Sequence, residues 1–249
     1  MKNFENVYTE EHIISSFIVD GKRLLRPTAL FGLMQEVADN HVEGINCGWN
    51  FLHTMNRFWA LSRMDVEIIR RPAWKEHVLI STWGKKHNYL IQPRDYLVET
   101  VEGETLVRAT SNWVVLDTEG KPCLVSEIDD RLHLQLDLHA LEKPAARLRK
   151  AVEEVPQAFR PVVYSDIDMN HHVNNASYVT WAMDCFSYEF HRSHELTRIS
   201  LNYLKQTRSD DRYAVIKKET GVGVFALSSF SERDGEETCR METHWKEQQ

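Results

Sequence analysis

The chain has 249 residues, 42% of them hydrophobic and 27% charged, with a formal net charge of −7. That length holds one large domain or two modest ones, each able to bury a core, and the composition is that of an ordinary globular protein. The acidic balance argues against a general nucleic-acid or membrane surface, and no apolar run approaches the roughly 20 residues that span a bilayer.

Residues Met1 to Glu11 are polar and acidic with no apolar core, so neither a signal nor a transit peptide is expected, and a cytoplasmic location is. Leu30, Leu33, Met34, Val37 and Ala38 recur at helical spacing and predict a helix from about Thr28 to Asn40. Alternating patterns predict strands over 59–69, 77–86, 89–101 and 104–116. Residues 129–157, charged and carrying Lys143-Pro144, read as a linker between an N-terminal unit, 1–128, and a C-terminal unit, 158–249. The second unit starts with a polar turn and a helix whose apolar positions are Val179, Ala182, Met183, Phe186 and Phe190. Strands over 197–206, 212–219, 223–232 and 237–246 complete it. Cys47, Cys123, Cys185 and Cys239 lie far apart with no C-x-x-C, which predicts reduced thiols and neither a disulfide framework nor a metal site.

The two units are copies. Gly103, Glu104, Arg108 and Trp113 recur as Gly235, Glu236, Arg240 and Trp245 at a constant offset of 132 residues. Val107, Ala109, Ser111 and Trp113 share one strand face, as do Cys239, Met241, Thr243 and Trp245. Arg63 to Ile68 overlays Arg198 to Tyr203 at an offset of 135, and Thr28 to Met34 overlays Asn175 to Trp181 at 147, leaving a twelve-residue insertion around Cys47 to Phe58. A helix followed by an antiparallel meander in each half is an α+β arrangement.

The copies differ at one turn. Asp166-Ile-Asp168-Met-Asn170-His171-His172-Val-Asn174-Asn175 packs carboxylates, amides and imidazoles ahead of the second helix, with Asn174 or Asn175 as its N-cap. Backbone N–H groups and the positive end of the helix dipole meet there, which suits an oxyanion or phosphate. Opposite it the first unit offers Val19 to Pro27, with no His, no Asn and one carboxylate. A merely structural turn has little reason to be so polar in one copy, so the second turn is the candidate site and the first half is expected to hold the apolar ligand.

The pattern D-x-D-x-N-x-H-x-N-N-x-x-Y-x-x-W, from Asp166 to Trp181, resembles the active-site segment of the acyl-acyl carrier protein (acyl-ACP) thioesterases. A second patch, Leu201-Asn-Tyr203-Leu-Lys-Gln206-Thr207, looks like that family's L-x-Y-x-x-E-C segment but departs from it at Gln206 and Thr207. The resemblance covers the chain from about Phe17 to Trp245 and implies a tandem hotdog, a sheet wrapping a central helix in each half. It implies catalytic roles for Asp168, Asn170, His172 and Gln206, with no cofactor, and acyl-ACP as substrate, hydrolysed by water to fatty acid and carrier.

The residue chemistry is compatible with those roles. Imidazoles as a class titrate near neutrality, which makes His172 a candidate general base. Asp168 can orient it, and Asn170 with N–H groups near Asn174 to Ala176 can hold a water or carbonyl oxygen. A Gln orients water but takes no proton, so base duty falls on His172 and Asp168 or this copy is slow. Asp166 and His171 read as solvent-facing neighbours, Tyr178 and Trp181 as core. The carrier protein is acidic, so docking calls for a local basic patch: Arg70-Arg71, Lys85-Lys86 or Arg147-Leu-Arg149-Lys150. An acyl-CoA thioesterase, a non-catalytic acyl-binding protein and either a monomer or a homodimer all stay open. A metal centre on Asp166, Asp168, His171 and His172 lacks a distant Cys or Glu partner, and no Gly-x-Ser-x-Gly elbow supports a serine hydrolase.

Overall fold

Gly103 and Gly235, the glycines of the repeated block, both sit at positive φ, 91° and 69°, a region glycine enters without a Cβ penalty. Each closes the hairpin that feeds the longest strand of its unit. The structure is a computed structural model describing residues 6–132, 134 and 137–248, so the start of the polar leader and positions 133, 135 and 136 of the expected linker lie outside the described residues. The chain forms two compact units, Met1–Ala145 and Ala146–Gln249.

The first unit contains β1 (Tyr8–Ile13), α1 (Pro27–Gly44), α2 (Trp49–Thr54), β2 (Arg57–Ile68), β3 (His77–Gly84), β4 (Gln92–Thr100), β5 (Thr105–Asp117) and β6 (Pro122–Cys123). Its antiparallel strand order is β1-β3-β4-β5-β2, with β6 paired to β5. The second contains β7 (Arg160–Pro161), α3 (Asn175–Met183), α4 (Tyr188–Ser193), β8 (His194–Tyr203), β9 (Arg212–Gly221), β10 (Val224–Ser231) and β11 (Glu237–Glu247). Its order, β7-β9-β10-β11-β8, is that of the first unit strand for strand. α1 buries Leu30, Phe31, Met34, Val37, Ala38 and Val42, and α3 buries Tyr178, Val179, Trp181, Ala182 and Met183. At roughly 1.5–3 kcal/mol for each large apolar side chain removed from water, these stripes hold each helix to its unit.

The repeat extends to single hydrogen bonds. The Leu106 carbonyl accepts the N–H groups of Ile69 (3.0 Å) and Arg70 (3.3 Å), and the Thr238 carbonyl accepts those of Leu204 (2.9 Å) and Lys205 (3.2 Å). Trp113 Nε1–H donates to Ser111 Oγ, and Trp245 Nε1–H donates to Thr243 Oγ1, both at 2.9 Å. Arg70 pairs with Glu104, and Lys205 with Glu236, the two glutamates of the repeated block.

Four expectations need correction. The helix after the polar turn does not run on to Phe190: α3 ends at Met183, and Ser187 Oγ accepts the Phe190 N–H at 3.1 Å to start α4. Phe186 lies in the break yet stays buried against Phe225 and Trp245, which is why the apolar periodicity continues through it. The first helix is longer than expected, and the insertion after it holds α2. β8 stops at Tyr203, so Gln206 lies on the loop beyond the strand. β1, β6 and β7 carry no pattern strong enough to predict them.

Candidate active site

The polar turn is built by Asp168. Its Oδ1 accepts the backbone N–H groups of Asn170 (2.8 Å) and His172 (3.2 Å), while its own N–H donates to the His172 carbonyl at 2.9 Å. Ile167 bridges Val173 across the loop, and His171 takes the left-handed conformation at φ 61°. These bonds bring Asp168, Asn170 and His172 together within one five-residue loop. Asn174 then caps α3, its Oδ1 accepting the Ala176 N–H at 2.8 Å.

Asp166 is not solvent-facing. It is buried, its carboxylate accepting the Trp181 Nε1–H at 3.0 Å and the Val163 N–H at 2.9 Å, and Trp181 stacks on Tyr213. Asp166 thus fastens the turn to the helix. Its carbonyl also takes the Asn174 N–H at 2.8 Å. Of the N–H groups expected to face an oxyanion, those of Asn174 and Ala176 are therefore spent inside the turn. The Asn175 N–H has no acceptor among the described residues.

Two tyrosines bring the loop after β8 to the start of α3. Tyr203 O–H donates to the Asn175 carbonyl at 2.9 Å. Tyr178 O–H donates to Thr207 Oγ1 at 2.9 Å, and the Thr207 N–H returns to the Tyr178 oxygen at 3.0 Å. Burial pushes the Tyr178 phenol up to about 12 and the Tyr203 phenol well above its ordinary value, so both stay protonated donors. Gln206 is exposed between the clamped Tyr203 and Thr207, and its side chain makes no hydrogen bond among the described residues. Tyr178 and Trp181 are buried core residues, as expected.

The first unit carries the same turn with different side chains. Asp20 Oδ1 accepts the N–H groups of Lys22 (2.8 Å) and Leu24 (3.2 Å), Asp20 N–H donates to the Leu24 carbonyl at 2.9 Å, and Arg23 sits at φ 60°. Asp20, Lys22, Arg23 and Leu24 are therefore the counterparts of Asp168, Asn170, His171 and His172. The turn lies one residue out of step with the sequence overlay: Ile18 to Arg26 correspond to Asp166 to Asn174. Because Arg70 and Lys205 are equivalent, Arg71 is the counterpart of Gln206. Arg71 donates to Asp20 Oδ2 at 2.6 Å. Burial opposes ionisation of Asp20, but Arg71 and the two N–H groups outweigh it and hold its carboxyl below the usual range.

A small pocket, partly open to solvent, lies in the first unit beside α1, its lining residues including Ala38, Val42, Trp59 and Trp113. Its wall includes a buried polar group that periodicity did not reveal. Arg94 Nη1–H donates to His41 Nδ1 (2.9 Å) and Thr82 Oγ1 (3.0 Å), and His41 stacks on Tyr8. Burial lowers the Arg94 pKa. The adjacent charges Arg94 and Asp95, which alternation would place on opposite faces of one strand, were the available signal. Cys47 and Cys239 are buried, the Cys47 thiol pushed up to about 11 by burial. Cys185 lies past the end of α3 rather than at mid-helix, its thiol 3.3 Å from the Trp181 carbonyl. Among the described residues no three metal-ligating side chains cluster, and no helix is long and apolar enough to cross a membrane.

A helix cradled by an antiparallel sheet of one order, made twice, defines a tandem hotdog protein with its polar turn in the second copy. Profiles described as the acyl-ACP thioesterase N-terminal domain and C-terminal domain match residues 5–130 and 149–247. The chain belongs to the acyl-ACP thioesterase family. It is 27% identical over 224 residues to oleoyl-acyl carrier protein thioesterase 1, chloroplastic, of Arabidopsis thaliana, covering 82% of this chain and 61% of that protein's length. In fold it is similar to an acyl-ACP thioesterase from Bacteroides thetaiotaomicron, with a TM-score of 0.86 at 24% identity over 97% and 98% of the two chains. A 12:0-ACP thioesterase from Umbellularia californica also gives a TM-score of 0.86, at 23% identity over the whole of both chains.

Proposed function

We propose that this protein hydrolyses fatty acyl-ACP to free fatty acid and carrier, with the turn Asp168–His172 as its catalytic centre. The observation that carries the reading is the divergence of two structurally equivalent turns. The first is closed by the Asp20–Arg71 ion pair, whereas the second has Asn170, His172 and Gln206 at the corresponding places. Family membership and the thioesterase names of the relatives support the same substrate class.

In this mechanism a water attacks the thioester carbonyl and His172 takes its proton. Asp168 holds the loop that presents His172. The Asn170 amide and the Asn175 N–H, at the positive end of α3, receive the developing oxyanion. Gln206 orients the water. The tetrahedral intermediate then expels the pantetheine thiolate, which takes up the proton.

Gln206 itself favours a second reading, a non-catalytic acyl-binding protein, because an amide accepts no proton. Purified protein given acyl-ACP and acyl-CoA of several chain lengths separates the two. Release of free fatty acid with a preference for acyl-ACP is the expected result. Tight binding of acyl-ACP with no fatty acid released would establish the binding protein instead, and a preference for acyl-CoA would reassign the carrier.

A further inference from the structure

Many basic residues of this acidic chain are paired with its own carboxylates. Arg70 bridges Glu76 and Glu104, Arg71 holds Asp20, and Lys85 pairs with buried Asp95. The Arg70-Arg71 run is thereby paired throughout, and the Lys85-Lys86 run keeps only Lys86. The third run differs. Arg147, Arg149 and Lys150 are exposed and have no carboxylate partner among the described residues.

These three side chains are displayed on a strap that is held in place. Asn202 Nδ2–H donates to the Ala146 carbonyl (3.0 Å), its Oδ1 accepts the Leu148 N–H (2.7 Å), and Arg240 Nη1–H donates to the Leu148 carbonyl (3.2 Å). Val152 anchors the far end, fully buried against Ala226 and Phe230. The strap therefore presents fixed positive charge rather than a loose tail. Glu153 and Glu154 follow it, and Glu154 turns toward Lys218 at 4.0 Å.

Its position relates it to the polar turn. Asn202 and Tyr203 are successive residues at the end of β8, and successive strand residues point to opposite faces. Asn202 holds the strap on one face, and Tyr203 holds the start of α3 on the other through its bond to the Asn175 carbonyl.

We propose that Arg147, Arg149 and Lys150 form the docking surface for the acidic carrier protein, a proposal that rests on the acyl-ACP reading above. Charge complementarity selects this occupant: a fixed, unpaired cationic strap on a chain of net charge −7 steers an acidic partner to one place. The rival cationic spot, Arg23 and Lys75, lies over the Trp74 ring with Asp20 and Glu76 close by in sequence.

The test is titration of holo-ACP onto the whole protein and onto R147A/R149A/K150A, beside steady-state kinetics on acyl-ACP and on an acyl-N-acetylcysteamine thioester. The triple variant is expected to weaken ACP binding and raise KM for acyl-ACP about tenfold at low salt, with kcat kept. Its salt dependence should flatten, and the small thioester should be hydrolysed at the wild-type rate. Unchanged ACP affinity in the triple variant overturns the proposal, as does a loss confined to R23A/K75A. Failure of the wild type to hydrolyse either substrate refutes the thioesterase reading, while the titration still decides the strap.

Discussion

Asp168 and Asp20 accept the same pair of hydrogen bonds, from the residues two and four positions on, at 2.8 and 3.2 Å in both copies. An Asp that builds the turn by satisfying two N–H groups is a structural device. The copies part only in the residues the turn displays and in what closes it. The N-terminal copy shows Lys22 and Leu24 and is locked by Arg71. The C-terminal copy shows Asn170 and His172, with Gln206 in the place of the arginine.

The lock makes the two copies respond differently to loss of their loop residue. Arg71 is mostly buried against Asp20, so Arg71→Ala should cost about 1–3 kcal/mol, the range for a charge-assisted hydrogen bond lost from a partly buried site. Gln206→Ala, at an exposed position, should stay within about 0.5 kcal/mol. Urea unfolding of both variants checks this; equal losses would mean that the two positions are not counterparts.

The Asp20 lock also fixes a pH dependence. Its carboxyl titrates below the usual value when folded, so the stabilisation is present above the unfolded pKa, near 3.9, and fades as pH falls through the folded value. Wild type and Asp20→Asn should therefore differ in unfolding midpoint at pH 7 and converge below about pH 4. A gap that persists undiminished in acid would remove Arg71 as its cause.

Within the polar turn the neighbouring histidines should separate cleanly. His172→Ala should lower acyl-ACP hydrolysis by about a hundredfold or more, the loss expected with a general base. His171, exposed at φ 61°, is positioned by the backbone alone, and His171→Ala should change the rate little. Equal losses at the two positions would break the assignment. At Gln206, replacement by Glu should keep or raise activity and replacement by Leu should lower it; full activity in the Leu variant would remove this residue from the mechanism.

We expect no thiol to act as nucleophile. Burial raises the Cys47 and Cys239 thiols, and Thr207, where the family pattern carries Cys, is buried and bonded to Tyr178. A variant with all four cysteines replaced by Ser or Ala, if folded, should keep most of its turnover. An acylated cysteine trapped by mass spectrometry would contradict direct attack by water.

Much of this was legible in the chain because period-two alternation and the Gly-Glu…Arg…Trp block survive in both copies. Trp113 and Trp245 make the same indole hydrogen bond, each to the residue two positions earlier. The N-cap at Asn174 was legible because capping is local. The burial of Asp166 was not, since its partner Trp181 arrives only once the helix packs. Nor was the Asp20–Arg71 pair, 51 residues apart in sequence. The one-residue error in aligning the turns has the same origin: Lys22 and Leu24 share no chemistry with Asn170 and His172, and only the backbone reveals the match.

The most direct test of the account transplants the N-terminal copy's residues into the C-terminal turn. Asn170→Lys with His172→Leu keeps Asp168 and both backbone hydrogen bonds, since the first copy folds the same turn with those side chains. Single-turnover release of fatty acid from acyl-ACP should fall by about a hundredfold or more, with a melting temperature within a few degrees of wild type. Wild-type release from this folded double variant would show that the chemistry lies elsewhere in the molecule.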